Sequence, residues 1–63
     1  LLANLRASYR ERTDLDRWLA AVELALVLEP WNGKLYGERG LLHYRMHRYE
    51  EALADLERDA ALE

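Results

Sequence analysis

The stretch Asn32 to Glu63, NGKLYGERGLLHYRMHRYEEALADLERDAALE, decides the fold. It opens on Asn-Gly directly after Pro30-Trp31, and this Pro-x-Asn-Gly run is a strong turn signal. Leu35, Leu42 and Met46 then recur at helical spacing, and so do Leu53, Leu56 and Ala60 further on. Between the two sets, near His47-Arg48, the apolar phase shifts before Tyr49. The stretch therefore reads as helices over about 34–46 and 49–62. The connection is short, so the two should be antiparallel neighbours.

The preceding residues read the same way. Leu2, Leu5 and Tyr9 mark a helix over about 1–12, and Leu15, Trp18, Leu19, Val22 and Leu26 mark one over 15–28. Thr13-Asp14 breaks them, with Thr13 and Asp16 resembling a capping box. Sliding the chain by 34 residues sets Leu1 on Leu35, Leu19 on Leu53, Ala20 on Ala54, Glu23 on Glu57, Leu28 on Leu62 and Glu29 on Glu63. Leu15 falls on Tyr49 and Val22 on Leu56, so apolar character is kept as well. The expectation is an all-α fold of four helices in two antiparallel hairpins, one domain over 1–63 with repeat units 1–30 and 31–63.

The second unit resembles a tetratricopeptide repeat (TPR) over its whole length. Gly40 stands at the small position of the first helix and Ala52 at that of the second. Tyr49 matches the aromatic that precedes the second helix, Leu56 the large apolar residue one turn on, and Pro30 the proline ending a unit. The resemblance implies a right-handed solenoid. The first unit departs from the pattern: Arg6 and Trp18 replace its small residues. In the second, Asp59 replaces an Ala and His47 the Gly of the turn. More narrowly, Asn4-Leu5-Arg6, Arg39 to Leu42 and Ala52 to Glu57 resemble the TPR tail of bacterial proteins that carry a transglutaminase-like domain, the SirB type. Eight Arg against one Lys fits a GC-rich bacterial genome.

Size and composition exclude several classes. At 63 residues, one small domain is the most the chain can form, and its core is modest. Cysteine is absent, which removes disulfides, zinc-thiolate sites and cysteine nucleophiles and fits a reducing, cytoplasmic setting. Charged residues interrupt every apolar run, so no membrane span or signal peptide is expected. The chain opens Leu1-Leu2 without methionine and reads as a piece of a longer protein. A net charge of −3 argues against nucleic acid. From Glu50 onward six acids face one base, Arg58, and read as a solvated helix face.

No catalytic constellation is present. His43 and His47 lie four residues apart and could share a helix face, but no Glu follows the first, so the zinc-protease motif is not met. His43 occupies a buried aromatic position in the repeat register, and Tyr9 the matching one in the first unit. His47 suits a helix end, where its side chain can satisfy terminal carbonyls. Ser8 reads as a surface residue and Thr13 as a cap; no cofactor is implied. Trp18 reads as core, and Trp31 either as a staple over the inter-repeat core or as an anchor for a neighbouring domain.

The resemblance implies that partners bind the face of the first helix of each unit. By register that face holds Asn4, Ala7, Arg10 and Glu11, then Lys34, Gly37, Leu41, Tyr44 and Arg45. Arg10, Lys34 and Arg45 make it basic, suited to an acidic segment or a terminal carboxylate. The clamp of chaperone-binding relatives is not met, since Ala3 and Ala7 stand where Lys and Asn are needed. The expected role is an interaction module for a protein or peptide. The alternatives are a tail that packs on a transglutaminase-like domain of the same chain, and self-association.

Overall fold

The computed structural model describes residues 14–62. Helix α1 spans Leu15–Leu28. Its cap is Asp14, whose carboxylate accepts the Arg17 backbone N–H at 3.2 Å, so the capping expected of Thr13 falls to its neighbour. Thr13 itself lies outside the described residues. Pro30 cannot continue the helix, and its carbonyl accepts the Tyr36 hydroxyl at 2.9 Å. Helix α2 spans Gly33–Arg45, opening on Asn32, whose side chain accepts the Lys34 N–H at 3.1 Å. Helix α3 spans Tyr49–Leu62, with Glu50 and Glu51 in its first turn, where acids favour the helix dipole.

The α2–α3 connection is a left-handed cap. His47 has φ 62°, the Arg48 N–H reaches the His43 carbonyl at 2.8 Å, and the His47 N–H reaches Tyr44 at 3.0 Å. This is the Schellman arrangement, in which backbone groups satisfy the terminal carbonyls. The His47 side chain does not take that role. Its Nδ1 shares a 2.8 Å hydrogen bond with the Tyr49 hydroxyl.

Helix α2 is the centre, packed on α3 along one side and on α1 along another. The core joins Trp18, Leu19, Val22, Ala25 and Leu26 of α1 to Leu35 and Leu42 of α2. On the α3 side the helices approach at Gly40. A Cβ there would stand 3.2 Å from the Ala52 carbonyl oxygen and 3.1 Å from Leu56 Cγ. Among the described residues no helix is long and apolar enough to cross a membrane.

The expectation of four helices in two hairpins is corrected. The described residues hold three helices and one hairpin, α2–α3, with α1 laid on α2. The expected helix 1–12 lies outside the described residues. Trp18 stands where α3 has Ala52, and its indole fills the core shared with α2. The stripe Leu53, Leu56 and Ala60 that marks α3 is exposed, with Leu56 reaching α2 at Gly40. Helix α3 buries Ala52 and Asp55 instead.

Two outcomes follow for stability. Gly40→Val places branched atoms against a backbone carbonyl that cannot move aside, and should cost about 2 kcal/mol in urea unfolding. Gly40→Ala should cost much less, because its better helix propensity offsets the contact. His47→Gly relieves the left-handed backbone and should gain roughly 1 kcal/mol, or a rise of about 4–8 °C in Tm. His47→Val should move Tm the other way.

Candidate partner-binding face and a buried charge network

Lys34, Leu41 and Arg45 lie seven and four residues apart on α2, which sets them along one stripe. All three are exposed, Leu41 by 49%. Tyr44, 60% exposed, stands beside the stripe toward α3, where its ring meets Tyr49 edge-on with centroids 5.6 Å apart. Arg45 lies 5.9 Å over the ring of Trp18, a cation–π contact that holds the guanidinium over α1. Beneath it, the Trp18 indole N–H donates to Glu38 at 2.6 Å. Gly37 does not line this face, since a Cβ on it would meet the Asp59 carboxylate of α3. Asn4, Arg10 and Tyr9 lie outside the described residues.

The side of α2 turned to α3 carries a charge network that the residue pattern did not reveal. Asp55 is 1% exposed, and a buried carboxylate must be paired and hydrogen-bonded. Arg39 grips it through two bonds, Nε to Oδ2 at 2.8 Å and Nη2 to Oδ1 at 2.9 Å. Arg58, one turn along α3, donates to Oδ1 at 3.1 Å, and His43 Nε2 stands 3.5 Å from Oδ2. Both guanidiniums also lie near the Tyr36 ring, at 5.6 and 5.9 Å. Burial pushes the Asp55 carboxyl up, but the Arg39 hydrogen bonds and charge, with His43 and Arg58, outweigh it and hold the group below its ordinary value. The same Asp55 bonds raise Arg39, against the opposing effect of burial.

Over the network opens a cleft of about 360 Å³. Arg39, His43 and Asp55 lie inside it, and Glu23, Arg48 and Glu51 at its rim. The two histidines point to different work. His43 is buried against Asp55, whereas His47 turns to Tyr49. Among the described residues no three His, Cys, Asp or Glu side chains converge to hold a metal.

A profile of the tetratricopeptide repeat matches residues 5–63. The chain belongs to the tetratricopeptide repeat family. No curated protein and no solved structure matches it. As a TPR chain it is a helical repeat of the protein-interaction type, and the family is typically non-catalytic. Of the TPR positions read from the sequence, Gly40, Ala52 and Leu56 meet at the α2–α3 approach. Tyr49 is the first residue of α3 and 56% exposed, and Pro30 sits in the turn before α2. Trp31 is not a staple over the core, because it is 67% exposed.

Asp55 makes a pH prediction. Its value is lowered on folding, so its stabilisation is complete above the unfolded value near 3.9 and is lost as pH falls through the lower folded value. Asp55→Asn leaves Arg39 half-buried without its counter-charge, and should cost about 3 kcal/mol at pH 7. The difference between Asp55→Asn and wild type should shrink as pH falls below about 4. Urea midpoints measured between neutral pH and acid would show it.

Proposed function

We propose that this repeat binds an acidic peptide segment along α2, with Lys34 and Arg45 pairing its carboxylates and Leu41 and Tyr44 seating an apolar side chain between them. The exposed stripe carries this reading. Two cations bracket an exposed leucine on one helix face, beside a half-open tyrosine, and none of these side chains is needed by the core. The Trp18 contact supports it further, because a guanidinium held over a ring is already oriented, so less rotamer freedom is lost on binding. Asn4 and Arg10, which share the face by register, would extend the same surface. The likeness of Arg39 to Leu42 and Ala52 to Glu57 to transglutaminase-associated TPR tails supports a second reading, in which the ligand is a segment of a neighbouring domain of the same chain.

A fluorescein-labelled peptide alternating Asp or Glu with Leu tests the reading by polarisation. Lys34→Glu and Arg45→Glu should each weaken binding about tenfold, roughly 1.4 kcal/mol, and affinity should fall as salt rises. Equal binding of a neutral peptide, or indifference to both charge reversals, would overturn it.

A further inference from the structure

Helix α1 is apolar on two sides. One side, Leu19, Val22 and Leu26, is spent in the core against α2. Turned about half a revolution away lie Ala20, Leu24, Val27 and Leu28, spaced four, three and one residues apart along a single stripe. All are exposed, Leu24 by 51%, Val27 by 75% and Leu28 by 61%. Trp31, 67% exposed, follows just past the helix end. A helix that is apolar nearly all round is normally buried all round.

Among the described residues no helix packs over this second stripe. The 34-residue register supplies an internal comparison, because α3 holds the equivalent place in the next unit. There the matching residues are Ala54, Arg58, Ala61 and Leu62. Arg58 is drawn in to Asp55, and the face is largely small or charged. The same position thus carries small residues and a cation where α1 has Leu24 and Val27, so packing among the described helices does not account for Leu24, Val27 and Trp31.

We infer that this stripe is a dimer interface: a second copy of the chain packs on it, α1 against α1, antiparallel about a two-fold axis near the middle of the stripe. An isologous contact needs a surface complementary to itself. Antiparallel pairing sets Leu24 beside Val27 of the other copy and brings the bulky Trp31 end over the small Ala20 end. The area fits. Complete burial of these side chains removes on the order of 500 Å² per copy and 1,000 Å² per pair, the lower bound for a specific interface and the size of a weak dimer. A patch of this size is comparable to the largest that a monomer leaves open, and such patches are often functional. A bilayer is a poorer occupant. Asp14, Asp16, Glu23 and Glu29 are the acids of α1 and its two caps against one base, Arg17, where an anionic lipid surface needs basic flanks.

Sedimentation equilibrium of the 63-residue chain, run from micromolar to millimolar concentration, decides it. The expected result is a monomer–dimer equilibrium that Val27→Glu and Leu24→Gln each weaken at least tenfold, with circular dichroism unchanged. Two variants guard against one failing to fold. Leu53→Glu, on the open stripe of α3, should leave the dimer intact. A monomer at every concentration overturns the inference. So does an open-ended assembly, or a dimer that Leu53→Glu abolishes and Val27→Glu spares. Peptide binding by Lys34 and Arg45 is read separately, since those residues lie on α2.

Discussion

The close approach of α2 and α3 at Gly40 governs the rest of the molecule. With no Cβ on Gly40, the Ala52 carbonyl and Leu56 come into contact with the α2 backbone. One turn beyond Ala52 lies Asp55, and the same approach seals it from water. A carboxylate so placed is tolerated only with its charge answered, and Arg39, the residue before Gly40, answers it with a two-pronged grip. The small residue and the buried ion pair are thus one device. Shape brings the helices together, and charge fixes their rotation and sliding, because a bidentate contact fits at one register only.

The helices themselves were legible in the chain. Apolar spacing placed α1 and α3 at the bounds observed, and α2 differs by one residue at each end. Both differences have local causes: Asn32 caps the helix so that Gly33 enters it, and Met46 serves as the C-cap. The count of helices and hairpins was not legible. Self-match by period assigns each unit a hairpin, but the expected helix 1–12 lies outside the described residues, and Trp18, where α3 has Ala52, packs its indole into the core shared with α2.

The site was legible in part. The stripe of Lys34, Leu41 and Arg45 follows from helical spacing alone, but the hold on Arg45 comes from Trp18, far away in the chain. Gly37 misled, because register treats every first-helix position alike while the Asp59 carboxylate of α3 fills the space beside this one. Asp55 was read among the acids of a solvated face, since six acids in a row of fourteen residues look alike when counted. Their angle on the helix separates them. Asp55 lies three residues from Ala52 and so shares its buried side, whereas Glu50 and Glu57 do not. Arg39 gave the matching hint, standing directly before the small residue at the contact.

Comparing the two units position by position separates what the fold requires from what it leaves to function. Val22 and Leu56 occupy equivalent places, yet Val22 is fully buried and Leu56 is 49% exposed, because α1 has α2 to pack on and α3 has no such helix among the described residues. There the fold explains an apolar side chain that happens to be open. At the equivalent pair Leu24 and Arg58 the logic runs the other way. Arg58 joins Asp55, and the hairpin uses it. Leu24 is not part of the core, and hydration of its exposed half, with Val27 and Trp31 also open, is a standing cost that the described helices do nothing to recover. A residue that the fold neither buries nor pairs, in a position its own repeat fills with a cation, is where a partner is to be sought.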